Sequence, residues 1–195
     1  MEKIRLDELK RLILTEGKNL GGGILKIDSI LNHQMRPDVM LAIGQEIAQR
    51  FASEPITRIL TAEVSGIGPA LMAGLQLNVP IVYARKHKPI TMKEPVYVES
   101  APSHTKGGET LLMVSPEFLA PDDHILIVDD FLASGKTIHA LARLVHQAGA
   151  DLVGVACVVE KTFEGGREFL GDCCTRIESL IIITAMDDNR IIIAD

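Results

Sequence analysis

Ile125-Leu126-Ile127-Val128-Asp129-Asp130-Phe131-Leu132-Ala133-Ser134-Gly135-Lys136-Thr137 decides the reading of this chain. Its first four residues are apolar and largely β-branched on both parities, the pattern of a strand buried on two faces. Two adjacent carboxylates follow, then the small-residue loop Ala133–Gly135, then Lys136 and Thr137 at the start of a helix. Asp129 and Asp130 can accept hydrogen bonds from vicinal hydroxyls of a sugar. Gly135 permits close backbone approach, and the amides and dipole of the new helix, with the hydroxyls of Ser134 and Thr137, suit a phosphate monoester. A Walker loop needs glycine where the chain has Asp130, and a dinucleotide fingerprint needs three glycines where only Gly135 is present. A solvated turn after a strand explains a lone acid, but not a strand, diacid, small loop and helix together.

Outward from this stretch, Ile56–Thr61, Ile81–Ala84 and Leu152–Val159 are further short apolar runs with the same two-face pattern. Helical stretches Gly68–Leu77 and Lys136–Ala148 lie between them. The alternation predicts an α/β fold, an open and mainly parallel twisted sheet flanked by helices. Ligands in such sheets sit beyond the carboxyl ends of the strands, which points to Glu63–Gly68, Arg85–Lys88 and Asp129–Thr137.

Towards the N-terminus, Leu6, Leu9, Ile13 and Leu14 keep helical spacing until Gly17 and Gly21-Gly22-Gly23. A second helix, Pro37–Phe51, starts on a proline suited to a first turn and follows the segment Ile24–Gln34. Met92–Glu99 and Glu109–Ser115 read as two strands around residues 100–108, a polar connection of the kind that forms a surface loop or lid. Ser103, Thr105, Lys106 and Glu109 are candidates to close such a lid. Ile181–Ile183 and Ile191–Ile193 suggest a closing pair of strands around a turn.

The 195 residues suffice for one ordinary domain with its own core, and no repeat or linker divides them. A net charge of -6 argues against a duplex-binding face but allows a nucleotide-sized ligand. With 4% aromatic residues and no tryptophan, an array of stacked bases is poorly supported. Three cysteines, two of them the adjacent Cys173-Cys174, form neither a disulfide framework nor a zinc spacing. The chain reads as cytoplasmic, with no membrane segment or secretion signal.

The diacid stretch resembles the signature of the type I phosphoribosyltransferase family: an apolar strand, two acids, two apolar residues, then small and hydroxyl residues around a glycine. The likeness implies that Asp129 and Asp130 hold the ribose 2- and 3-hydroxyls of phosphoribosyl pyrophosphate, and that Ala133, Ser134, Gly135, Lys136 and Thr137 hold its 5-phosphate. The hypoxanthine-guanine branch places its proposed general base where this chain has Ala133, so that role does not carry over. Leu25 to Gln34, Ala84 to Lys88 and Val159 to Phe163 are similar to bacterial xanthine phosphoribosyltransferases. That resemblance implies a small N-terminal hood near 18–36, joined by the C-terminal end, with Leu25 and Asn32 over a purine base and Lys161 addressing the ring. An ammonium only donates, which favours a 6-oxo purine over the 6-amino group of adenine.

Glu63–Pro69 offers backbone amides for a pyrophosphate, through Ser65 and Gly66, and the likeness suggests a cis peptide near Val64-Ser65. Arg85, Lys86 and Lys88 place three cations where charge develops on a departing pyrophosphate. His87 and His104 receive no catalytic role. The expected reaction transfers the phosphoribosyl group to N9 of xanthine, with magnesium carried by phosphoribosyl pyrophosphate rather than by a dedicated site, and the family likeness alone implies a homodimer. The competing readings are a guanine- or hypoxanthine-preferring enzyme and a transcriptional regulator of the same fold.

Overall fold

The structure, a computed structural model, describes residues 6–102, 108–171, 173–174, 176–187 and 190–194. The chain runs through helix α1 (Leu6–Glu16), a short hairpin of β1 (Lys18–Asn19) and β2 (Leu25–Lys26), a π-helical turn Asp28–Asn32, and α2 (Pro37–Arg50). Strand β3 (Arg58–Ala62), α3 (Ile67–Leu77) and β4 (Ile81–Ala84) form the first strand–helix–strand unit. A two-stranded arm of β5 (Tyr97–Pro102) and β6 (Glu109–Val114) follows. Then come β7 (His124–Leu132), α4 (Lys136–Gln147), β8 (Asp151–Lys161), α5 (Gly166–Leu170), β9 (Ile177–Asp187) and β10 (Arg190–Ile193).

The six-stranded sheet has the order β10-β9-β8-β7-β3-β4, parallel throughout except for the β9–β10 pair. This is the predicted fold class, and its alternating strands fill two cores. Leu126 and Val128 face a cluster built with α1, α2 and α3; Ile125 and Ile127 face one built with α4 and the β5–β6 arm. With Val155 and Ile181, these strand side chains are fully buried. Burying a residue of this size contributes roughly 1.5–3 kcal/mol, so two filled faces specify the register. The chain leaves β3 towards the sheet edge at β4 and leaves β7 towards β8. The crevice of an open sheet opens at such a reversal of strand order.

The predicted helices are present, and α2 begins with Pro37 in its first turn. Predicted strand limits shift, most of all at β3 and in the arm. The run at Ile56 forms its strand from Arg58, because Ile56 and Thr57 are still leaving the turn after α2; the Thr57 amide donates to the His124 carbonyl at 3.0 Å. The arm strand expected over Met92–Glu99 begins only at Tyr97, with Glu94–Pro95 as a cis peptide before it. It continues to Pro102, so Ser100–Pro102 pair with residues Glu109–Leu111 rather than forming a loop. Ser103, Thr105, Lys106 and the expected lid tip lie outside the described residues.

The segment near 18–36 docks across one end of the sheet. Gly21, Gly22 and Gly23 all have positive φ, a conformation costly for any residue with a side chain. Ile27, Ile30 and Leu31 anchor the following turn in the core. The C-terminal strand joins this end: Ile191 and Ile193 pack on the same cluster, and Lys10 donates to the Ala194 carbonyl at 3.2 Å. Among the described residues no helix is long and apolar enough to cross a membrane.

Candidate active site

A cavity of about 690 Å³ opens at the carboxyl ends of β3, β7 and β8. Strand β7 extends through the diacid to Leu132, so Asp129 and Asp130 are fixed by sheet pairing. Asp129 lies opposite Cys157, and Phe131 opposite Val159. The alternation of a strand turns the two carboxylates to different surroundings. Asp129 is 6% exposed, and its Oδ1 accepts from the Asp130 amide at 2.9 Å. Asp130 Oδ2 accepts from Asn32 Nδ2 at 2.7 Å. Burial, and then the neighbouring Asp130 charge, push the Asp129 carboxyl well above the usual carboxylate range; the Lys86 charge pulls the other way. The thiol of Cys157, buried on the neighbouring strand, is pushed up by burial and then by the same two acids.

The loop after β7 turns through Gly135, whose φ of 76° starts α4 from a left-handed residue. A side chain there would also meet the Gly166 carbonyl at 2.9 Å and Leu170 at 3.2 Å. Position 135 is therefore confined to glycine on two grounds, conformation and close approach. Ala133, Ser134, Gly135, Lys136 and Thr137 all line the cavity beside Asp129 and Asp130. The first turn of α4 brings its amides and dipole to that wall.

Across the reversal in strand order, Glu63, Val64, Ser65 and Gly66 form the opposite wall, together with Lys86. The non-proline cis peptide is Glu63–Val64, one bond earlier than expected. Arg85 and Lys88 do not line the cavity. Arg85 faces Glu63 at 3.4 Å and lies over the Tyr83 ring at 5.7 Å, and Lys88 pairs with Glu94. Glu63 also accepts from the Lys86 amide at 2.6 Å, fixing the cationic segment to the end of β3.

Leu25 and Lys161 line the far end. Lys161 donates to the Gly23 carbonyl at 2.9 Å, pairs with Glu164, and holds its ammonium 5.8 Å from the centre of the Phe131 ring. Asn32 does not line the cavity, but its bond to Asp130 ties the hood to the diacid. Phe131, Glu164, Gly22, Gly23 and Ile24 complete this end. None of these five was singled out from sequence. Glu164 carried a signal, since it follows Lys161 by three residues, the spacing at which side chains share a face of a tight turn.

Lys86 and Lys136 bring positive charge to the cavity, Asp129 and Asp130 line it as well, and Gly22 to Leu25 of the hood meet Lys161 and Glu164 at the remaining end. Two adjacent carboxylates are oxygen donors of the kind magnesium takes when it is shared with substrate phosphates. Among the described residues no cluster of three or more acids, histidines or cysteines offers a complete protein cage. The two carboxylates present are donors that fit a magnesium ion.

Residues 27–186 match the phosphoribosyl transferase domain family. The xanthine phosphoribosyltransferase of Lacticaseibacillus casei (strain BL23) is 43% identical over 192 residues, covering 98% of both chains. That of Moorella thermoacetica is 46% identical over 183 residues, covering 94% of this chain and 93% of the relative. Among solved structures, the APRTase from Giardia lamblia complexed with 9-deazaadenine superimposes with a TM-score of 0.76 at 22% identity, covering 93% of this chain and 99% of that one, a likeness of fold. The matched domain and the near-complete alignment with these relatives place the chain in the phosphoribosyltransferase family.

Proposed function

We propose that this protein is a purine-salvage enzyme that transfers the 5-phosphoribosyl group from phosphoribosyl pyrophosphate to N9 of xanthine, releasing xanthosine 5'-monophosphate and pyrophosphate. The observation that carries the reading is the placement of the Lys161 ammonium at one end of a cavity whose other end is the diacid and phosphate loop. The xanthine phosphoribosyltransferases that resemble the chain over nearly its whole length support the choice of base.

In this reading Asp129 and Asp130 hold the ribose hydroxyls, and Ala133 to Thr137 hold the 5-phosphate. Ser65, Gly66 and Lys86 receive the pyrophosphate, with Arg85 and Lys88 adding positive charge from the same segment. Leu25 covers the base, Asn32 positions the hood against Asp130, and Lys161 donates to the 6-oxo group. As the bond to pyrophosphate lengthens, positive charge develops at the sugar carbon and negative charge on the leaving group. The fixed carboxylates lie on the ribose side, and Lys86 lies on the pyrophosphate side. Asp129 and Asp130 would hold magnesium together with the substrate, and the ion would supply charge neutralisation. Ala133 contributes no base, so the gain rests on positioning, water exclusion and electrostatics.

The whole chain acts as one catalytic domain in the cytoplasm, as a homodimer. The exposed apolar side chains Leu71 and Leu75 on α3 support pairing of two copies. Steady-state assays with xanthine, guanine, hypoxanthine and adenine test the reading. Xanthine gives the highest kcat/KM; a preference for adenine rejects the assignment of Lys161, and sequence-specific nucleic-acid binding without turnover favours a regulator instead.

A further inference from the structure

We infer that Glu164 is a specificity-determining residue of the base pocket, accepting a hydrogen bond from the N1–H of a 6-oxo purine while Lys161 donates to the adjacent 6-oxo group. The inference rests on the proposed reading of the cavity and adds to it a second recognition contact. Lys161 ends β8, and residues Thr162–Glu164 form a single tight turn. The turn brings the Glu164 carboxylate back against the Lys161 ammonium, and both line the cavity. Their side chains keep 11% and 26% of their exposure, so the pair is partly desolvated and still reachable from the cavity.

The donor and acceptor inventory fixes what such a pair can recognise. An ammonium carries three N–H donors and no acceptor, and an ionised carboxylate only accepts. The Gly23 carbonyl and Glu164 take two of the Lys161 donors, which leaves a third for a ligand. Glu164 has a second oxygen and spare lone pairs. Side by side, the two present one donor next to one acceptor. A lactam edge, C6=O beside N1–H, presents the reverse pattern on adjacent atoms and can close a cyclic pair with them.

The 6-amino edge of adenine presents a donor to Lys161 and the bare N1 acceptor to Glu164, so both contacts fail. Mismatched buried polar groups discriminate far more strongly than a missing methylene. Lys161 alone distinguishes oxo from amino at C6; Glu164 extends the test to the state of N1. The hood bears on the same contact. A Cβ added at Gly23 would lie 3.4 Å from Phe163 and 3.6 Å from Glu164, so the hood backbone passes close to this carboxylate.

The test uses 1-methylxanthine, which keeps both oxo groups and the reacting imidazole edge but lacks N1–H. Wild-type enzyme favours xanthine over 1-methylxanthine in kcat/KM. Glu164→Leu keeps comparable bulk without an acceptor. It lowers kcat/KM for xanthine by roughly ten- to hundredfold, leaves the KM for phosphoribosyl pyrophosphate within about twofold as expected for independent sites, and collapses the preference over 1-methylxanthine. Glu164→Gln keeps an acceptor oxygen and retains most of that preference.

If Glu164 merely anchors Lys161, both purines lose equally and their ratio is unchanged, which overturns the inference. If the preference comes from bulk alone, it survives in Glu164→Leu, which overturns it too. Absence of xanthine turnover by the wild-type protein would instead reject the reading of the whole site.

Discussion

Replacing Asp129 and Asp130 together by Asn separates activity from stability in a way that depends on their surroundings. Asn preserves size and leaves an acceptor for the Asp130 amide and for Asn32, which now reach the two carboxylates at 2.9 and 2.7 Å. What disappears is charge at the two proposed ribose contacts. Hydrogen bonds to charged groups contribute roughly 1.5–3 kcal/mol each, so losing both in the transition state costs about 3–6 kcal/mol, or about two to four orders of magnitude in kcat/KM. Stability moves the other way. Burial and the Asp130 charge raise the Asp129 carboxyl in the folded protein, so at neutral pH ionisation of Asp129 opposes folding, and Asn at that position removes the opposition. Steady-state kinetics with xanthine and phosphoribosyl pyrophosphate, paired with thermal unfolding at pH 7, check both halves. The expected outcome is a severe loss of turnover with an unchanged or higher Tm. Turnover within about threefold of wild type would refute the reasoning, because two solvated turn acids are worth less than about 1 kcal/mol.

Lys161→Met removes the ammonium shared by Gly23 and Glu164; KM for xanthine rises about ten- to hundredfold while binding of phosphoribosyl pyrophosphate, followed by calorimetry, is unchanged. Gly135→Ala forces a side chain into the left-handed region against the Gly166 carbonyl, costing at least about 1–2 kcal/mol in the unfolding free energy measured with urea; affinity for phosphoribosyl pyrophosphate falls with it. Acid stability is set in part by Asp123 and Glu160. Burial pushes both carboxyls up, but Arg58, the Ala120 amide and Thr57 outweigh it at Asp123, and Arg167 and Ser179 outweigh it at Glu160, so both are held below their ordinary values. Their contribution is present above the unfolded carboxylate range near pH 4 and is lost as pH falls through the lowered folded values. Asp123→Asn therefore destabilises at pH 7 and flattens the fall of Tm below about pH 4.

The two-face apolar runs revealed the central strands because burial on both sides leaves a continuous pattern, and Pro37 marked the start of α2. That the diacid belongs to β7 was hidden, since carboxylates and a following Phe-Leu pair do not alternate like a half-buried strand. Backbone pairing with β8 overrides this, holding Asp129 against Cys157 and Phe131 against Val159. The cationic segment was legible as charge but not as direction. Lys86 reaches the cavity, while acids distant in sequence or beyond a turn, Glu63 and Glu94, hold Arg85 and Lys88 aside. The hood is the least legible part, because three glycines with positive φ and a π-helical turn have no hydrophobic period. The Asn32–Asp130 bond spans 98 positions, and only the tertiary fold creates it.

The most direct measurement is to mix the protein with xanthine, phosphoribosyl pyrophosphate and magnesium and to resolve the products by chromatography and mass spectrometry. The account predicts xanthosine 5'-monophosphate joined at N9 and pyrophosphate in equal amounts, with neither formed when xanthine is omitted. Pyrophosphate release without a nucleotide product, or unchanged reactants beside ready conversion of adenine, would contradict it.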